Sequence, residues 1–136
     1  MAKINIEQFA ILNDKAPSEG LSFKVNLGFK AARNAKRIAC KVSVEFLHDE
    51  RTILKLGINC EFDIFSEDWD NLIKDKVLII SKDDLGFFAN QTIGVARGIM
   101  FAKTEDSEFR NFILPPIDLT TILKEDLVIN ISETNT

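Results

Sequence analysis

The sequence predicts an α+β fold, a four-stranded antiparallel sheet with one long helix packed on one of its faces. Two observations carry this expectation. Three stretches between Leu21 and Ile64 place apolar residues at every second position, the period of a strand with one buried face. A capped stretch from Ser81 to Lys103 then turns to helical spacing. At 136 residues the chain is long enough to bury one core without disulfides or metals. One domain is therefore expected over residues 1–129, followed by a polar tail over 130–136.

The opening stretch holds Ile4, Ile6, Phe9 and Ile11 without clean alternation, and reads as a first strand. It crosses to the next strand through Asp14-Lys-Ala-Pro-Ser-Glu-Gly20, which is rich in turn residues. Leu21, Phe23, Val25, Leu27 and Phe29 then alternate with mostly polar neighbours as a half-buried strand. Ile38, Cys40, Val42, Val44 and Phe46 form a third, and the even positions from Leu54 to Ile64 a fourth. The connection His48-Asp-Glu-Arg-Thr52 is short enough for a hairpin.

That hairpin fixes a register. With Glu50 at the turn centre, Val42 faces Ile58, Val44 faces Leu56 and Phe46 faces Leu54, while Glu45 faces Lys55 on the other side. Cys40 then stands opposite Cys60 on the apolar face. The pair is either a cross-strand disulfide or two buried thiols, the latter being the commoner fate in a reducing compartment.

Ser81-Lys-Asp-Asp84 reads as a capping box, with Asp in place of the usual Glu, ahead of a helix of ~33 Å. Leu85, Phe88, Ala89, Thr92, Ala96 and Ile99 make one stripe, yet Phe87, Val95, Phe101 and Ala102 fall largely outside it. A helix that is apolar on more than one side is expected to be covered twice, by its own sheet and by a second subunit. Gly94 and Gly98 share one face, and each destabilises a helix by about 1 kcal/mol relative to Ala. Close approach offsets that penalty, either against the chain's own sheet or across a subunit boundary. Arg97, the one strongly charged residue between Asp84 and Lys103, reaches a carboxylate, a subunit boundary or solvent. Gly94, Arg97, Gly98 and Phe101 are thus the candidate oligomer interface.

Composition narrows the function. A net charge of -4 and the lack of a Lys/Arg-rich footprint argue against nucleic acid. No apolar run approaches the ~18 residues that span a bilayer, so no membrane insertion and a cytoplasmic location are expected. Two cysteines twenty residues apart and the single His48 offer no metal-binding spacing, and no glycine-rich phosphate loop is present. No metal or cofactor is expected. His48 lies in a turn beside Asp49 and Glu50, and Glu67-Asp68-Trp69-Asp70 reads as a solvated loop with Trp69 packed beneath it. Neither a nucleophile with its base nor a carboxylate pair is visible, so no enzyme is expected.

The stretches Thr92-Ile-Gly-Val-Ala-Arg-Gly-Ile-Met-Phe-Ala-Lys-Thr104 and Phe112-Ile-Leu-Pro-Pro-Ile-Asp-Leu-Thr-Thr-Ile-Leu123 resemble the SecB family of export chaperones and their SecB-like relatives. The element order is similar over nearly the whole chain, and the specific part of the likeness is the last third. The resemblance implies a short C-terminal helix after Pro115-Pro116, a homotetrameric dimer of dimers, and an ATP-independent holdase that binds unfolded client proteins in apolar grooves for protein export. By position it makes Leu21, Phe23, Ile122 and Leu123 the expected peptide-binding residues. Family members that serve export use acidic residues of the outer sheet face to engage the translocase motor SecA, which here would be Glu45, Glu61 and Asp63. Lys41 and Lys55 share that face. A SecB-like chaperone dedicated to one client, such as an antitoxin, and a structural or regulatory oligomer with closed grooves are the alternatives.

Overall fold

Strand β1 (Lys3–Ile11) lies at one edge of a sheet, and the crossover after it carries the chain to the opposite edge, where β2 (Leu21–Ala32) begins. With β3 (Arg37–His48) and β4 (Arg51–Asp63), these strands form a four-stranded antiparallel sheet of order β1-β4-β3-β2. The structure, a computed structural model, describes residues 1–130. The expected polar tail lies outside the described residues except for Asn130, which pairs with Val77 as the last residue of a strand.

The β3–β4 register agrees with the expected one at Val42/Ile58, Val44/Leu56, Phe46/Leu54, Glu45/Lys55 and Cys40/Cys60. Nearer the turn it slips by one. His48 pairs with Arg51 across a two-residue turn, in which Asp49 and Glu50 both take positive φ (49° and 68°). The difference is a bulge at Ile53, whose carbonyl accepts a hydrogen bond from the Leu12 amide at 2.7 Å.

Beyond the sheet, α1 (Ser66–Asn71) occupies the acidic stretch expected as a loop, and its Trp69 is buried as expected. Then come β5 (Ile73–Lys74), β6 (Val77–Ile80) and the long helix α2 (Lys82–Thr104). The Ser81 side chain accepts from the Asp84 amide at 3.2 Å, which caps α2 where the sequence places its start. Helix α2 lies across β3 and β4, and Ile38, Val42, Leu56 and Ile58 are closed off beneath Phe88, Ala96 and Met100.

The C-terminal region departs from expectation. In place of a short helix holding Ile122 and Leu123 there is one 3-10 turn, Leu119–Thr121, capped by the Asp118 carboxylate. Ile122 ends the turn and Leu123 follows it. Two prolines and two β-branched threonines leave too few residues to repay helix nucleation. The chain instead extends into β7 (Leu127–Asn130), which completes a second, three-stranded sheet of order β5-β6-β7.

Candidate peptide-binding surface

Strand β2 positions the first two expected residues. Its full-length register with β3 turns Leu21, Phe23, Val25, Leu27 and Phe29 to the side where the partner residues Phe46, Val44, Val42 and Cys40 enter the core. Among the described residues β2 pairs only with β3, so one edge of this twelve-residue strand is free. The apolar row is graded. Leu21 and Phe23 are 40% and 42% exposed, whereas Val25, Leu27 and Phe29 are half-buried.

Two depressions adjoin this row. At Leu21 and Phe23 a small cavity of about 130 Å³ is walled by Phe46, Phe112 and Ile113. The rings of Phe23 and Phe46 are 6.3 Å apart, and those of Phe46 and Phe112 5.3 Å, so the floor is continuous aromatic surface. At the other end Leu27 and Phe29 meet Leu85, Ile122 and Leu123 around a cavity of about 410 Å³. Leu123 also lines a cavity of about 550 Å³ with Phe87 and Leu119, flanked by Lys82 and Lys124.

The four expected peptide-binding residues therefore do not meet in one groove. Leu21 with Phe23, and Ile122 with Leu123, mark opposite ends of one row, and the chain from Phe112 to Leu127 runs from one end to the other. Arg97 holds that segment. Its Nε donates to the Leu114 carbonyl at 2.8 Å and its Nη2 to the Pro115 carbonyl at 3.1 Å. Arg97 thus engages backbone of its own chain, where a carboxylate, a subunit boundary or solvent was expected.

The outer side of α2 carries the other interface candidates. A methyl group added at Gly94 or Gly98 would meet nothing within 4 Å, so neither glycine packs against the chain's own sheet. Phe87 and Phe101, 58% and 53% exposed, flank them on the same face.

A second apolar strip was not read from the sequence. Ile4 and Ile6 pair with Cys60 and Ile58 and so lie on the helix side of the sheet, but they remain exposed because α2 covers β3 and β4. The signal was present as a change of phase. Ile4 and Ile6 alternate, then Phe9 and Ile11 resume one residue late, and β1 bulges between Ile6 and Gln8.

The acidic residues expected on the outer sheet face are there but engaged. Glu45 pairs with Lys24, Glu61 with Lys3 and Arg37, and Asp63 with Arg37. The Asp63 hydrogen bond and charge raise the Arg37 pKa still further. Glu7 is likewise taken up by Lys41, and Lys30 and Lys55 on this face carry no ion pair among the described residues. The face therefore presents no surplus of negative charge.

Cys40 and Cys60 are free, fully buried thiols. Burial pushes Cys40 up to about 11, with the Thr92 hydroxyl opposing and Cys60 adding, and burial raises Cys60 as well. Thiols so protonated are poor nucleophiles and poor metal ligands. Among the described residues no group of three or more His, Cys, Asp or Glu is placed to hold a metal, and no helix is long and apolar enough to cross a membrane.

The chain matches no protein-family model, no curated protein and no solved structure.

Proposed function

We propose that the protein is an ATP-independent holdase of the SecB-like kind, acting as a homo-oligomer that holds non-native polypeptide along β2. The observation that carries this reading is the exposure of Leu21 and Phe23 on a free strand edge beside an aromatic depression. Main-chain donors and acceptors at such an edge bind an extended segment without regard to its sequence, and shallow apolar depressions take its side chains. Capture of this kind is reversible burial and needs neither nucleotide nor cofactor. The open glycine face of α2, framed by Phe87 and Phe101, together with the Ile4/Ile6 strip, supplies apolar surface for a second copy.

Two observations bear on what the holdase serves. The acids at Glu45, Glu61 and Asp63 are paired within the chain, which favours delivery to a dedicated client, such as an antitoxin, over a contact with the SecA motor. The segment 112–127, which meets both ends of β2 and is clamped to α2 by Arg97, favours a second reading, a structural or regulatory oligomer whose groove is closed by its own chain.

Aggregation of a chemically unfolded client, followed by light scattering without ATP, separates the two. The holdase reading expects suppression near stoichiometric ratio that is lost in folded Phe23→Asp and Leu123→Asp variants. Absence of suppression across several clients would leave the closed-groove oligomer.

A further inference from the structure

We propose that a small apolar amine binds in a cavity at the end of the sheet remote from Leu21, a site independent of the holdase reading. The cavity measures about 370 Å³, within the range of small-molecule pockets. Its floor is Ile38, Ile80 and Phe88, all buried, and its walls are the half-buried Ile64 and Leu72 with the exposed Asn71. Asp68 of α1 and Asp84 of α2 line it as exposed residues, which places their carboxylates toward the mouth.

No cationic residue lines this cavity, and neither carboxylate takes part in an ion pair among the described residues. Each aspartate stands in the first turn of a helix, where a negative charge is favourable. That accounts for two acids but not for an apolar cavity between them. Paired carboxylates over low-dielectric walls focus a field of one sign, attracting a cation and repelling an anion. Two carboxylates and the side-chain amide of Asn71, which also lines the cavity, are too few oxygens to cage a hard cation that takes six or more. The complementary ligand has an apolar body to cover Phe88 and Ile80 and a protonated amine to lie between Asp68 and Asp84.

Phenethylamine tests this by titration into the full chain, followed by amide chemical shifts. Phenethyl alcohol and hydrocinnamate serve as neutral and anionic probes with a similar apolar body. Saturable shifts are expected around Ile64, Leu72 and Phe88 with the amine, and none with the anion. Asp68→Asn is expected to weaken the amine about fivefold, and the double variant with Asp84→Asn about fivefold again. The Ser81 cap uses the Asp84 amide, so Asp84→Asn keeps it, and an unchanged circular-dichroism spectrum with a cooperative melt verifies the fold, the melting temperature falling only by the lost first-turn charges. Equal binding of the alcohol, indifference to both substitutions, or no saturable shift at all would overturn the proposal. So would binding of a blocked Leu-Lys-Leu peptide in place of the amine, because the occupant would then be a partner's lysine.

Discussion

Arg97, in the middle of α2, donates to the main-chain carbonyl of Leu114 at 2.8 Å and so fixes the extended C-terminal segment to the long helix. A planar guanidinium that meets two successive carbonyls orders the segment more firmly than a single ammonium would.

Arg97→Ala is expected to cost about 1.5–3 kcal/mol in urea unfolding, the range for hydrogen bonds to a charged group. Hydrogen exchange should rise over residues 112–121 with little change in β3 and β4. Uniform acceleration across the sheet would mean that Arg97 supports the whole fold and not that segment.

Gly98→Leu is expected to lower the mass seen by light scattering while circular dichroism stays helical. A Cβ at Gly98 meets nothing within 4 Å in the protomer, so the substitution is directed at a contact between copies. In a monomer the same change would stabilise α2 by up to about 1 kcal/mol, since most residues exceed Gly in helix propensity. An unchanged mass with raised stability would remove this face from the interface.

Stability is expected to fall in alkali. The Cys40 pKa is raised from its ordinary 9.0 to about 11 by burial, so the folded chain holds that proton more tightly than the unfolded one. The associated stability is complete below about pH 9 and is lost as pH rises through about 11. The loss from Cys40 is of order 2–3 kcal/mol, with Cys60 acting in the same direction. Urea midpoints measured from neutral pH upward should decline steeply, and less steeply in Cys40→Ala.

Asp126 caps a helix that begins far from it in sequence, its carboxylate accepting from the Lys82 amide at 2.8 Å. Asp126→Ala is expected to destabilise by about 1 kcal/mol and to speed exchange in the first turn of α2. Asp126→Asn, which keeps an acceptor, should recover part of the loss.

Much of the main sheet is legible in the sequence. Alternation placed Val42, Val44, Leu54 and Leu56 on the buried face, and the expected pairing of Cys40 with Cys60 holds because the Ile53 bulge offsets the shorter turn. The candidate site was legible only in part. Leu21 and Phe23 are exposed at the edge of the sheet, but nothing local separates an alternating strand residue that completes a core from one left open. Ile122 and Leu123 were assigned to a helix that is a single turn.

The sequence alone determined the faces of β2, β3 and β4 and the start of α2, because a two-residue period and a serine cap act within a few neighbouring residues. Tertiary structure alone decided the rest. The pairing of β6 with β7, the clamp of Arg97 on Leu114, the ion pairs of Glu61 and Asp63 with Arg37, and the open side of Gly94 and Gly98 all depend on elements far apart in the chain. Four-residue strands carry only two alternations, and a carbonyl or an arginine carries no mark of its partner. Such contacts form only after the sheet and helix have packed and brought those groups within reach of one another.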